Sequence, residues 1–440
     1  MASSVLTDIF KIKELRNRIL FTIFVLVIFR FGTYIPIPGI DRNAVINYFD
    51  QGAGGLGGIF DFLDFFVGGA FKNVSIFMLG VMPYITTSII MNLLTIVFPK
   101  LKKISEEEGG RKKIQRWTRY ITIPVCMVQS LMVRGLAMEL NALTVDPLLF
   151  TFLAMLSVTT GTVFLVWLGE QITQRGIGNG VSILIFAGIV ARMPQAVIQL
   201  VQTVRDPNSD LNPVFLFIVM AIFVGVIALV IYEQQGQRKI PVYYAKRVIG
   251  RKIYGSQNTY LPFKINPSGV IPVIFASALL TFPINLIQGL GRNIKFLQDI
   301  VRLLQWDQLI YNVIYAVMII FFAYFYTQVT LNPFEISKNI RENGGSIPGI
   351  RSERMEEYLT KILNRIILPG AIFLAIIAII PTIITLLFKF PRSVAMLMGG
   401  TSLLIMVGVD LDTMSQIEGH LRMHHHEGLV KKGKIRSRNL

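Results

Sequence analysis

Residues 366–388 read Ile-Ile-Leu-Pro-Gly-Ala-Ile-Phe-Leu-Ala-Ile-Ile-Ala-Ile-Ile-Pro-Thr-Ile-Ile-Thr-Leu-Leu-Phe, with no charged side chain between Arg365 and Lys389. A hydrocarbon layer roughly 30 Å thick takes about 20 apolar helical residues, because every backbone amide must be satisfied within the segment. This stretch meets both demands. Working outward from it, nine more stretches qualify or nearly so: 19–34, 73–98, 117–137, 149–168, 180–203, 213–232, 269–287, 309–331 and 395–417. The chain therefore reads as an all-α polytopic membrane protein with ten transmembrane helices. Composition agrees, since 53% of the 440 residues are hydrophobic and 16% charged, against about 25% charged in a soluble domain. Disordered, collagen-like and disulfide-stapled classes are excluded, and the single cysteine, Cys126, leaves no intrachain disulfide. Pro36–Ile37–Pro38 follows the first apolar run, where a secretory leader would carry small residues, so no cleavable leader is expected.

Orientation follows from the basic residues. The two ends and every second connection together hold about four times as many Lys and Arg as the other connections, though they are less than twice as long, and this bias marks the cytoplasmic side. Both termini are expected there. The net charge of +17 calls for acidic partners: anionic lipids, acidic protein surfaces or RNA. Residues 99–119 carry Lys100, Lys102, Lys103, Arg111, Lys112, Lys113, Arg116 and Arg119. In 234–268, Ile240, Val242 and Tyr244 on one side and Ile253–Tyr254 on the other flank Ile249–Gly250, which predicts a short protruding β-hairpin. Residues 333–365 mix both charge signs around Asn343–Gly344–Gly345 and Pro348–Gly349. Loops so long and patterned read as docking surfaces more than as lipid anchors.

On the external side, glycines at 52, 54, 55, 57 and 58 precede Ile59-Phe-Asp-Phe-Leu-Asp-Phe-Phe66, and Gly68–Gly69 follow. The apolar run is too short to span. It reads as a short re-entrant helix or as one lying flat on the outer leaflet.

The pattern argues against several chemistries. All four histidines, His420 and His424 to His426, sit in the polar tail without a cysteine or an organised surround, so no metal and no cofactor are expected. No Gly-Lys-Ser/Thr phosphate loop occurs. Glu170, Arg134, Asp410 and Asp412 fall near span ends, Arg30 can snorkel outward, and Arg192 alone reaches mid-membrane. The acidic chain of an ion-coupled carrier is missing.

Several strings, in order along the chain, resemble the SecY-type protein-conducting channel, the pore subunit of the bacterial Sec translocon. They are Ile35–Pro36–Ile37–Pro38–Gly39, Ser75–Ile76–Phe77 with Gly80-Val-Met-Pro-Tyr-Ile85, and Trp167-Leu-Gly-Glu-Gln-Ile-Thr173 with Arg175-Gly-Ile-Gly-Asn-Gly180. Tyr244–Ala245–Lys246–Arg247, Gly269-Val-Ile-Pro-Val-Ile-Phe-Ala276, Asn332–Pro333, Pro348–Gly349–Ile350–Arg351 and Gly399-Gly-Thr-Ser-Leu-Leu-Ile405 continue it.

The resemblance implies two inverted five-helix halves around a central pore, 1–203 and 213–417, with an external hinge at 204–212, a plug near 54–72 and a basic tail at 418–440. It implies a pore ring of Val81, Ile85, Val181, Ile185, Ile274 and Ile405, and a plug built on Ile59, Phe60, Phe62, Leu63, Phe65 and Phe66. Thr86, Gln129, Asn266 and Phe282 would line a lateral gate between the second and seventh spans. Lys246, Arg247, Arg251, Lys252 and Arg351 would face a SecA motor ATPase or the ribosome. SecE and SecG subunits, signal peptides and nascent polypeptides would be the other partners, in the bacterial inner membrane. The implied activity is passive, gated passage of unfolded polypeptides and lateral release of apolar segments, without enzymatic chemistry. A small-solute carrier built from inverted repeats and an insertase or lipid-handling enzyme are the rival classes. The first needs mid-membrane carboxylates, and the second a polar intramembrane groove.

Overall fold

Proline sets the start of many of the helices, because its missing N–H costs nothing in a first turn and its fixed φ is already helical. The computed structural model describes residues 12–42, 44–45, 64, 66–107, 109–139, 142–205, 213–244, 247–249, 252–254, 258–290, 296, 299, 303–304, 308–388 and 400–432. In chain order the helices are α1 Lys13–Gly32, α2 Met82–Val97, α3 Pro99–Glu106, α4 Gly110–Glu139, α5 Pro147–Arg175 and α6 Gly180–Arg205. They continue with α7 Pro213–Gln235, α8 Ile271–Leu290, α9 Leu309–Thr330, α10 Pro333–Glu342, α11 Met355–Phe388 and α12 Gly400–Lys432. A helix runs through each of the ten apolar stretches. Among the described residues, five helices are long and apolar enough to cross a membrane, or six if α2 and α3 count as one broken span. Between those two the axis bends by 107°, at Phe98–Pro99. The residue before a proline is pushed to extended backbone, and Phe98 sits at φ −99°, ψ 110°.

Two compact units emerge, one of Met1–Ile198 with Asn285–Gln298 and Ile405–Leu440, the other of Gln199–Ile284 with Asp299–Leu404. In the first, α4 packs along α2 and α5, and α1 along α5. Its buried threonines return their hydroxyls to the carbonyl one turn back, as Thr118 does to Ile114 and Thr87 to Pro83, both over less than 3.0 Å. The second span begins later than hydropathy predicts: residues 73–81 form turns, and helix starts only at Met82. Val74 has φ 46° and Gly80 φ 56°, so the chain reverses hand twice before Pro83 can open a helix. These turns pair with the other irregular stretch, through Ile37 N–H to the Val74 carbonyl at 2.9 Å and Ile76 N–H to that of Ile35 at 3.0 Å.

In the second unit, β1 Gln237–Tyr244, β2 Arg247–Ile249, β3 Lys252–Tyr254 and β4 Asn258–Lys264 build two antiparallel pairs, β1 with β4 and β2 with β3. The predicted hairpin is real but taller. Ile240 faces Leu261 instead of the Ile253 region, which pairs with Val248. A fifth strand, β5 Gly345–Ser346, joins the free edge of β1 and ties the 333–365 loop into the same sheet. Met355, Leu359, Ile362, Leu363 and Ile366, at helical spacing, continue α11 beyond its apolar span and close a core with Ile240, Val242, Phe263, Ile340 and Ile347.

Gly161 on α5 is where Ile76 comes closest: a Cβ built there would strike the Ile76 carbonyl. Gly161→Ala should therefore cost about 1–3 kcal/mol, as overpacking of a filled site does. On the exposed face of α7, Gly225 has nothing within 4 Å of an added Cβ. Gly225→Ala should be neutral or stabilising. Thermal unfolding of the two variants in detergent checks the contrast.

Candidate functional site

Val81 and Ile85 stand one turn apart at the start of α2. They are 6% exposed each, and the Ile85 N–H donates to the Val81 carbonyl at 3.1 Å. The same four-residue spacing recurs at the start of α6, with Val181 half-buried and Ile185 buried. On α12, Ile405 is buried too. These five belong to the first unit. Ile274 lies in the first turn of α8 in the second unit, half-buried, its N–H bonded to the Val270 carbonyl at 3.3 Å. All six are branched aliphatics near helix starts, the residue type that closes a passage to ions without binding what passes.

The start of α6 is held with care. Gly176–Asn179 connects α5 to α6, and its backbone is capped by side chains from both ends of the chain. Thr22 Oγ1 of α1 accepts the Ile177 N–H at 3.2 Å, and Gln416 Oε1 of α12 accepts the Gly178 N–H at 2.8 Å. Thr173 Oγ1 accepts the Gly180 N–H at 2.9 Å. Gly178 has φ 81°, where only glycine sits without strain. Leu15 and Ile177 are buried beneath, packed by Ile12, Ile19, Ile417 and Leu421. The positions of Val181 and Ile185 are thus fixed by a staple of three helices, α1, α5 and α12.

Of the lateral-gate candidates, Thr86 is buried and bonds the Met82 carbonyl at 3.1 Å, and Gln129 is buried on α4. Asn266 shapes the turn into α8, donating to the Gly269 carbonyl and accepting from Ser268 Oγ, both at 2.9 Å. Phe282 has its backbone in α8, but its side chain lies outside the described residues. Of the plug candidates, Ile59, Phe60, Phe62, Leu63 and Phe65 lie outside the described residues, and Phe66 is buried. Lys246 and Arg251 also fall outside. Arg247 and Lys252 have their backbones in β2 and β3, opposite Tyr254 and Ile249. Arg351 is exposed and opens the 3-10 turn Ser352–Arg354, its carbonyl accepting the Arg354 N–H at 2.9 Å.

Hydropathy and motif matching did not anticipate the ionic contacts around the end of the glycine-flanked segment. Asp64, 1% exposed, is ion-paired with Arg192 of α6, and Arg30 of α1 donates to the Gly68 carbonyl at 2.7 Å. The available signal was an acid inside a glycine-flanked apolar run and one arginine deep in a span.

A family model described as SecY matches residues 75–414. The chain is 46% identical over 419 residues to the protein translocase subunit SecY of Borreliella burgdorferi, covering 94% of this chain and 94% of that one. The solved structure of a protein conducting channel superposes with a TM-score of 0.64 at 20% identity, over 96% of this chain and 95% of that one. Sec61 in the canine ribosome–channel complex from the endoplasmic reticulum gives 0.60 at 20% identity, with the same coverage.

The staple makes its own prediction. Gln416→Leu leaves the buried Gly178 N–H without its acceptor, which should cost about 1–3 kcal/mol. Trypsin should then cut faster after Arg175, whereas Gln416→Glu, which keeps an acceptor oxygen, should leave the rate near that of the unaltered chain.

Proposed function

The chain belongs to the SecY family, and from that premise we propose how it works as the pore-forming subunit of the Sec protein translocase. It is a multi-pass membrane protein that moves polypeptides. In this reading it is a passive, gated channel: unfolded chains pass through it, and hydrophobic segments leave sideways into lipid. The observation that carries the proposal is the coincidence of near-full-length likeness to a SecY subunit with paired aliphatics at the starts of α2 and α6.

The ten helices are read as two inverted halves, 1–203 and 213–417, hinged at 204–212. An odd number of spans per repeat forces inversion. Val81, Ile85, Val181, Ile185, Ile274 and Ile405 form the ring. It is apolar and narrow enough to dewet, so ions meet a barrier, while a passing side chain finds no polar group to hold it. Ile59–Phe66 is the plug on its outer side, and Thr86, Gln129, Asn266 and Phe282 line the seam that opens to lipid. The ring binds and releases without bond chemistry, so the subunit is neither an enzyme nor in need of a cofactor. Work comes from partners: SecA or a translating ribosome, docked on Lys246, Arg247, Arg251, Lys252 and Arg351, with SecE and SecG as companion subunits. Basic side chains suit an RNA surface, where phosphate contacts dominate. The planar guanidinium of Arg351, exposed on a tight turn, suits one directed contact with a partner carboxylate or phosphate. Both termini are read as cytoplasmic, which the bias of Lys and Arg in the loops supports, and the membrane as the bacterial inner membrane.

Replacing Ile85, Ile185, Ile274 and Ile405 together by Gly removes the apolar bulk. The resting conductance of the reconstituted translocase in planar bilayers should rise, with normal expression. An unchanged resting conductance would remove these residues from the barrier.

A further inference from the structure

The stretch between the external segment and α2 is held by charged groups from several elements, and one of these contacts is buried. Asp64 is 1% exposed, and the side chain of Arg192 is 17% exposed. One Asp64 oxygen pairs with Arg192, and the other accepts the Lys72 N–H at 2.8 Å. The Asp64 carbonyl accepts the Gly69 N–H at 3.0 Å. The guanidinium is itself steadied by Gln195 Oε1 at 2.7 Å. Gly69, at φ 93°, leaves room for it: an added Cβ would lie 3.5 Å from Arg192 Cζ. Beside the pair, Gly68 lies against α6, so close that its Cβ would meet Gly188 Cα at 2.9 Å. From the other side Arg30 holds the Gly68 carbonyl, and its second nitrogen donates to Tyr34 Oη at 2.8 Å.

We infer that Asp64 and Arg192 are positioning residues that lock Asp64 and Phe66–Gly69 against α6 and so set how strong a signal sequence must be to open the channel. This rests on the gated-channel reading, in which the stretch is the inner end of the plug. Separating a buried carboxylate from a half-buried guanidinium leaves the carboxylate uncompensated unless water replaces the lost partner. Opening wets the path and solvates both ions, so the lock yields only together with hydration and favours one closed arrangement over partly open ones. The signal sequence must outbid it by binding the open arrangement better. A shorter or less apolar signal supplies less differential binding. The pair therefore discriminates among clients without touching them.

The test uses the chain assembled with its companion subunits. Arg192→Gln and Asp64→Asn each remove one charge, and Asp64→Arg with Arg192→Asp exchanges them. Each single change should raise resting open probability about tenfold, the effect of losing one charge-assisted bond on an equilibrium. It should also raise secretion of a reporter with a shortened apolar signal relative to the same reporter with an intact one. The exchange should bring both readouts part of the way back. Should Arg192→Gln fail to accumulate, Arg192→Lys, which keeps the charge and loses the fork, should still raise both. Singles without effect, an exchange that restores nothing, or a lysine variant identical to the unaltered protein would each overturn the lock. Leakage of the four-glycine ring variant in the same preparation separates the two ideas. If the ring variant leaks and these do not, the channel reading stands and the lock falls. If the ring variant does not leak either, the channel reading falls with it.

Discussion

In hydrocarbon a backbone N–H or carbonyl has no water to fall back on, and the rest of this structure depends on that constraint. Helices meet it by themselves. The irregular stretches 33–42 and 66–81 cannot, so they meet it through each other and their neighbours. Besides the Ile37–Val74 and Ile76–Ile35 bonds, the Asp41 N–H reaches the Ala142 carbonyl at 2.8 Å and the Thr144 N–H that of Gly39 at 3.1 Å. The bonds form because side chains are absent where backbones meet. Gly161 admits the Ile76 carbonyl, Gly188 admits the Phe66 carbonyl, and Gly32 admits the Phe77 ring. Phe71 and Phe77, buried in the same place, fill what the glycines leave open. Non-helical backbone is thereby kept inside the protein.

That the apolar stretches carry helices was legible in the sequence, because hydropathy senses the same constraint. Their ends were less so. Ser75–Ile76–Phe77 is as apolar as any span, and no hydropathy window sees that Val74 and Gly80 turn the other way. The β-alternation of 240–244 was visible, yet its partner was not. Alternation fixes which face a residue takes, whereas register is chosen by the turn and by the core beneath. Gly345–Ser346 is too short to carry any pattern, so a strand that unites two long loops left no trace in the sequence. By contrast, Met355, Leu359, Ile362 and Leu363 do show the helical period that takes α11 past its apolar span.

The candidate site was legible only through resemblance. A ring of Val and Ile is made of the residues that fill any core, so nothing local sets Ile85 or Ile405 apart from Ile89 or Leu404. The Asp64–Arg192 pair was hidden for another reason. Its members lie far apart in sequence, and a contact between two such distant residues has no characteristic spacing. Each residue taken singly was odd, and the oddity was the signal. The staple at the start of α6, with its Thr22, Thr173 and Gln416 acceptors, is equally non-local.

The central claim is that a polypeptide in transit passes the apolar ring. It is tested most directly by placing a photo-reactive side chain at Ile85, Ile185, Ile274 or Ile405, one at a time, and arresting a secretory polypeptide midway through the assembled translocase. Each of these four should form adducts with the arrested chain on illumination, whereas the same group at the exposed Phe217 or Val163 should label lipid. Adducts missing from the ring positions, or formed as readily from Val163 as from Ile85, would contradict the account.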